Sequence, residues 1–316
     1  MSSDRLARPK DVLRPRHVGA PVRRTEDRRL VTGSGQFSAD RRPDRALHVA
    51  FRRSEHAHAT ITRIDTAAAQ AAPGVVAVLT ADSIAPDFEP VIPASRMADY
   101  YATPILPLAS GKVRHVGEAV AAVIATSRYL AEDAAELIRI TYQPLGTVSC
   151  AVRALAGDAP LLHENAGTNV LIARQFKKGD VDADLAGCAV RVGGHFEMTR
   201  KAPLAIEPRS CAAEYDAARR AITLYTATNV PGILRDALCA SLGLAGNRLR
   251  VVAHDVGGSF GSKGSLYPEE LLICIAARKL GRSLKWTADR LEDVSSSSQA
   301  FAEVVDAEMG FDDNGI

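Results

Sequence analysis

The chain has 316 residues, 47% of them hydrophobic and 24% charged, the make-up of a globular protein long enough for roughly two domains. Lys and Arg number 39 against 37 Asp and Glu, and the resulting net charge of +2 is too small to point to nucleic acid or an anionic membrane as partner.

The basic excess sits at the start. Residues 1–29 hold Arg5, Arg8, Lys10, Arg14, Arg16, Arg23, Arg24, Arg28 and Arg29 with little apolar content, which reads as a solvated tail rather than a nucleic-acid arm. No apolar stretch of signal-peptide length follows the Arg23-Arg24 pair, and no segment is long enough to span a bilayer, so the cytoplasm is the expected location. Cys150, Cys188, Cys211, Cys239 and Cys274 lie far apart with no C-x-x-C pair. That spacing argues against an iron-sulfur cluster or zinc ribbon within this chain and for reduced, mostly buried thiols.

From residue 46 the pattern alternates. Strands are expected at 46–51 and 59–64, then an Ala-rich helix over 66–72 with Asp65 as its N-cap, stopped by Pro73-Gly74, then a β-branched strand at 75–80. After a Pro- and Ala-rich loop over 85–108, residues 119–125 read as a buried strand. Ser127 caps a helix whose Leu130, Ala134, Leu137 and Ile138 share a face, with Glu132 and Asp133 in its first turn. A strand over 138–142 ends at Gln143-Pro144-Leu145-Gly146, which places a boundary near residues 144–150.

The second region is irregular to about Gly187, then gives strands at 190–199, 212–215 and 221–225. Pro231 opens a helix with Leu234, Leu238 and Leu242 on one stripe and Gly243 at its end. A strand over 248–253 leads into a glycine-rich loop. Pro268-Glu269-Glu270 then opens a helix whose Leu271, Leu272 and Ile275 face inward and whose Arg278 and Lys279 meet its negative end, before a strand at 283–287. Residues 302–309 form a last strand, and Asp313-Asn314-Gly315 is a hairpin turn signal. A strand left at the apex of a hairpin carries unpaired backbone groups, so the chain reads as a fragment or as one that a second chain completes.

The loop His254-Asp255-Val256-Gly257-Gly258-Ser259-Phe260-Gly261-Ser262-Lys263 is the densest candidate site. Its glycines let backbone approach a ligand closely, and exposed N–H groups in such a turn hold anions. It is neither a Walker motif, since Ser262 precedes the Lys, nor a G-x-G-x-x-G. By itself, such a loop often only satisfies turn geometry.

In context, Asp255 to Lys263 resembles the G-G-G-F-G-x-K signature of the molybdopterin-binding subunit of the xanthine dehydrogenase family, with Ser259 standing in place of a glycine. Ile206-Glu207-Pro208-Arg209, Tyr267-Pro268-Glu269-Glu270 and Leu280-Gly281-Arg282-Ser283-Leu284-Lys285-Trp286 resemble that subunit in the same order. Arg24 to Gly33, Arg53 to Ala59, Pro73 to Val78, Val116-Gly117-Glu118 and Ala131 to Glu136 are similar to strings along the family's a/b hammerhead domain and the stretch leading into it. Ordered matches from residue 18 to 316 are far more specific than the loop alone.

The resemblance, to the xanthine dehydrogenase, aldehyde oxidase and carbon monoxide dehydrogenase family, implies an α+β chain. Its parts are a basic segment at 1–29, an a/b hammerhead domain at 30–146, and the first portion of a molybdenum-cofactor-binding domain at 147–316. It implies oxidative hydroxylation of an aldehyde, an N-heterocycle or CO with water-derived oxygen, on molybdenum-molybdopterin, including its cytosine dinucleotide form. Backbone around the glycine-Phe turn would lie against the molybdenum ligands, a role carried here by Gly257, Gly258, Ser259, Phe260 and Gly261. The family's glutamine that contacts the metal's oxygen ligand is matched by Asn229, one methylene shorter. The family's later half supplies most pterin contacts and the glutamate general base, so no residue here is assigned as catalytic or as a metal ligand. Expected partners are that C-terminal half, if separately encoded, iron-sulfur and FAD subunits, and a small-molecule substrate.

Glu269 and Glu270 read as helix first-turn acids. His56 and His58, two apart in an expected strand, point to one face and read as packing residues rather than metal ligands. His254 borders the loop as a hydrogen-bonded histidine or one that tunes a ligand's surroundings. Two further readings compete: a truncated non-catalytic remnant, and an unrelated nucleotide-binding α/β enzyme if the ordered matches are coincidental.

Overall fold

The computed structural model describes residues 18–315 apart from 94, 96 and 98; the first five basic residues of the expected tail lie outside them. Residues up to Gln36 form one unit and Phe37 onward another. The first contains a short helix, Asp27–Val31, closed by Thr32 Oγ1, which donates to Arg28 O at 2.8 Å.

The second unit is built on a seven-stranded sheet in the order β10-β9-β8-β11-β1-β5-β3. The strands are β1 (Leu47–Arg53), β2 (Ala59–Asp65), β3 (Val75–Thr80), β4 (Lys112–Val113), β5 (Ala119–Ala125), β6 (Arg139–Pro144), β7 (Val190–Met198), β8 (Ser210–Asp216), β9 (Ala221–Thr226), β10 (Leu249–Val252), β11 (Leu284–Thr287) and β12 (Glu303–Phe311). β4, β2 and β6 make a second sheet, and β12 with β7 a third. The large sheet draws on both halves of the sequence, joined where β1 runs parallel to β11 with Leu47 opposite Leu284. β5 lies between β1 and β3 with every residue buried, which explains its unbroken apolar run.

Helices cover the sheet for the reasons their sequences suggest. Ser127 accepts a hydrogen bond from Leu130 N at 3.3 Å and caps Arg128–Glu136. Pro231–Leu242 buries Leu234, Leu238 and Leu242 and ends at Gly243, whose φ of 62° is left-handed. Pro268–Leu280 runs through the core, so Ile273, Cys274, Ala276 and Ala277 are buried as well as Leu271, Leu272 and Ile275.

Several local expectations are corrected. Leu137 is 44% exposed, and the Arg128–Glu136 helix packs instead through Ala131, Ala134 and Ala135, with Ile138 behind them. Glu132 lies past the first turn and pairs with Arg128 one turn back at 2.7 Å. Asp65 ends β2 and accepts from Ala67 N at 3.2 Å, while Thr66 occupies the cap of Ala67–Gln70. His56 and His58 sit in the turn between β1 and β2, outside either strand, because Ser54 Oγ accepts from His56 N at 3.0 Å and bends the chain there. His58 Nδ1 meets Gly146 O at 2.7 Å, and the His56 ring packs on Tyr142. β12 runs antiparallel to β7 from Glu303 opposite Met198 to Phe311 opposite Val190, and this two-stranded sheet pairs one edge of each strand. Among the described residues, no helix is long and apolar enough to cross a membrane.

Candidate functional site

The glycine loop leaves β10 and passes over the end of β9 before reaching Tyr267. A side chain at Gly257 would place its Cβ 2.5 Å from Glu207 Cβ, so the backbone there runs against the 206–209 segment. Gly258 and Gly261 take φ values of 99° and 93°, open to glycine and strained for other residues. Phe260 adopts φ 51° and is 78% exposed. A bulky residue held left-handed and facing solvent is the kind of strain that surrounding structure must impose.

That structure is a buried ion pair. Lys263 Nζ lies 2.8 Å from Glu207 Oε2 and donates to Glu207 O at 2.9 Å. The same Oε2 accepts from Gly257 N at 2.7 Å. Both ends of the loop are thus tied to one glutamate from a segment about fifty residues upstream. Further on, Ser262 N donates to Ser259 O at 3.0 Å and Gly264 N to Gly261 O at 3.3 Å. The N–H groups of Gly258, Ser259, Phe260 and Gly261 find no acceptor among the described residues. Free amides on a braced turn are donors suited to an anion, and this donor set fits an oxygen-rich ligand.

Asn229 lies beyond the end of β9, in the connection to the Pro231–Leu242 helix rather than on the strand. Its N–H donates to Lys263 O at 2.9 Å, and its Nδ2 donates to Ser259 Oγ at 2.8 Å. All six residues singled out from sequence therefore converge. His254 is exposed and stacks beside Tyr225, with ring centroids 6.1 Å apart.

Behind the loop is an ionic cluster that sequence reasoning missed. Glu269 and Glu270 do stand in a helix first turn, but they are buried. Glu269 lies 2.9 Å from Arg209 Nη1 and 2.8 Å from Arg53 Nη2. Arg209 also reaches Asp293 at 3.2 Å and stacks over Tyr267, 4.0 Å from the ring centre. Burial alone would raise the Glu269 carboxyl, but the Arg209 and Arg53 charges overcome it and bring it to about 2. Its neighbour behaves oppositely: burial pushes Glu270 up to about 7, against hydrogen bonds from Thr226 Oγ1 at 2.5 Å and Tyr267 N at 3.0 Å. Asp293 arrives on the unexpected helix Arg290–Ser296, whose signal was Asp289 with Glu292 three residues on; Asp289 accepts from Glu292 N at 2.7 Å.

Comparison with known proteins places these features. The a/b hammerhead domain of aldehyde oxidase and xanthine dehydrogenase matches residues 32–146, and the molybdopterin cofactor-binding domain matches residues 162–316. The chain is similar to the nicotine 6-hydroxylase large subunit of Paenarthrobacter nicotinovorans, 35% identical over 91% of this chain and 35% of that protein. It is similar to the carbon monoxide dehydrogenase large chain of Afipia carboxidovorans, 34% identical over 90% of this chain and 36% of that one. The crystal structure of quinoline 2-oxidoreductase from Pseudomonas putida 86 superposes with a TM-score of 0.85 at 36% identity, over 92% of this chain and 37% of that chain. This chain thus spans little more than a third of the length of these relatives. Matched along both of its parts, the chain belongs to the xanthine dehydrogenase, aldehyde oxidase and carbon monoxide dehydrogenase family of molybdopterin-binding subunits, with an a/b hammerhead domain followed by a molybdopterin-binding domain.

Proposed function

We propose that this chain is the N-terminal part of a molybdenum hydroxylase large subunit and contributes one wall of the cofactor site, with hydroxylation of an aldehyde, an N-heterocycle or CO as the activity of the whole. The observation that carries this reading is the row of unpaired N–H groups from Gly258 to Gly261, braced by Glu207 and Lys263. When bound, the molybdenum-pterin group supplies the redox chemistry by which water-derived oxygen reaches the substrate. The chain's own residues bind and orient it. Gly257 and Gly258 bring the backbone close, the amides donate to anionic oxygens, and Phe260 sets an apolar ring at the tip of the loop.

On this reading activity requires further polypeptide, because the relatives are almost three times as long and the glutamates described around the loop are already engaged. Glu207 and Glu269 are committed to cations, and Glu270 is enclosed by Thr226 and Tyr267. The remaining large-subunit sequence and iron-sulfur and FAD subunits are the proposed partners, and the cytoplasm the proposed location. The division at 1–29, 30–146 and 147–316 assigns three strands of the large sheet to the middle part and four to the last.

The test is molybdenum content by elemental analysis of the protein purified from its native host, with mass spectrometry of what copurifies. Stoichiometric molybdenum with further subunit sequence is expected. A metal-free protein would overturn the assignment.

A further inference from the structure

The two places where the loop region differs from the signature it resembles touch each other. Ser259 stands for a glycine and Asn229 for a glutamine, and Asn229 Nδ2 donates to Ser259 Oγ at 2.8 Å. The same oxygen accepts from Lys263 N at 3.1 Å. A hydroxyl has two accepting lone pairs and one proton to give. Both accepting positions on Ser259 are filled from behind, by the 228–230 connection and by the far end of its own loop. The proton remains, and no acceptor for it exists among the described residues.

We infer that the Ser259 hydroxyl, turned outward by Asn229 and Lys263 N–H, is a directed hydrogen-bond donor to an anionic oxygen of the bound cofactor. The inference rests on the reading proposed above and deepens it. Asn229 is exposed and Ser259 half-buried, so the pair lies on the open side of the loop, next to the free N–H groups of Ser259, Phe260 and Gly261. The shorter Asn229 side chain is then a positioning residue: its amide engages the serine, and the serine makes the ligand contact. A donor O–H joins the backbone donors, at a position where glycine contributes an N–H alone.

The test uses the complete protein from its native host, unmodified and as Ser259→Ala, Ser259→Gly, Asn229→Ala and Asn229→Ala/Ser259→Ala. Two quantities are read besides activity: the half-time of molybdenum loss on dialysis, and the exchangeable-proton coupling of the paramagnetic metal centre in H2O against D2O. Either serine variant should shorten retention about tenfold, the worth of one hydrogen bond to a charged acceptor. Asn229→Ala, which frees the hydroxyl to rotate, should shorten it about threefold, and the double variant should lose no more than Ser259→Ala alone. An exchangeable coupling that vanishes in both serine variants places the acceptor in the metal's ligand shell; faster loss without such a coupling places it on the cofactor phosphate. Ser259→Ala and Ser259→Gly proteins that hold molybdenum as long as the unmodified protein, or losses at the two positions that simply multiply, overturn the inference while leaving the cofactor assignment standing. An unmodified protein without molybdenum overturns both.

Discussion

Arg53 Nη2 and Glu269 Oε1 meet at 2.8 Å across a sequence separation of 216 residues. Arg53 ends β1 and is half-buried, and Glu269 opens the Pro268–Leu280 helix and is buried. Glu269 is shared with Arg209, so removing its charge weakens two guanidinium contacts, while Arg53 keeps Glu292 at 2.8 Å and Arg209 keeps Asp293 at 3.2 Å. Glu269→Gln should cost about 1.5–3 kcal/mol of stability, the worth of hydrogen bonds to charged groups. Arg24→Ala, which breaks an exposed ion pair, should cost under about 1 kcal/mol. Denaturant titration of both variants checks this, and a Glu269→Gln shift no larger than that of Arg24→Ala would show the cluster to be energetically idle. Because its carboxyl is held near 2, the stabilisation is complete above the ordinary carboxylate pKa and is lost as the pH falls from about 4.5 toward 2.

Glu270 should impose the opposite slope. Its carboxyl is pushed up to about 7, so the folded protein keeps a proton that the unfolded chain releases near 4.5. Stability therefore falls as the pH rises from about 4.5 to about 7, by up to about 1.4 kcal/mol per pH unit, and levels off above. Glu270→Gln should flatten that window and keep the fold. The amide oxygen still accepts from Tyr267 N, and the amide nitrogen donates to Thr226 Oγ1, whose proton turns to Ser210 O, 3.3 Å away. Melting temperatures from pH 4.5 to 8 for the two proteins decide the point; parallel curves would mean that Glu270 titrates as an ordinary carboxyl.

The Glu207–Lys263 pair lends itself to a double-mutant cycle. Lys263→Met strands the Glu207 carboxylate with Gly257 N–H and the Ser38 hydroxyl as its remaining donors, a loss of about 3–5 kcal/mol. Adding Glu207→Gln removes the stranded charge while its amide oxygen still accepts from Gly257, so the double variant should recover at least about 1 kcal/mol over Lys263→Met. Strictly additive losses in chemical denaturation would contradict direct coupling.

What could be read from sequence was what depends on neighbours in the chain. Ser127, the Leu234-Leu238-Leu242 stripe and Gly243 announce a cap, a face and a stop within a few residues of one another, and the structure agrees. The loop stood out for its glycines, which answer local backbone needs, at Gly258 and Gly261 a positive φ, but its residues and Asn229 took their roles from the family resemblance. Glu269 and Glu270 show the limit. Local reasoning puts them in a first turn, which is correct, yet their burial depends on Arg209 and Arg53, partners 60 and 216 residues away. The same holds for Leu137, read as core because period and hydrophobicity suggested it; the helix ends one residue earlier and turns that side chain outward. The Asn229–Ser259 contact was also invisible, since two separate departures from a pattern carry no sign in sequence that they meet.

Phe260 offers a way to separate binding from folding. Its left-handed backbone costs roughly 1–2 kcal/mol for any residue with a Cβ, and its ring, 78% exposed, contributes little burial in return. Phe260→Gly should therefore leave stability unchanged or raise it by up to about 1 kcal/mol, as relief of strain offsets the extra freedom of the unfolded glycine. If the loop holds a cofactor, the same variant should retain less molybdenum, because the turn loses the side chain that stiffens it and the ring that keeps water from the ligand's edge. Paired measurements of melting temperature and metal content on one preparation give the answer. A Phe260→Gly protein that melts several degrees lower and binds molybdenum normally would assign the residue to the fold, whereas a protein as stable as the original but depleted of metal would mean that the strain at this turn is kept for the sake of the ligand.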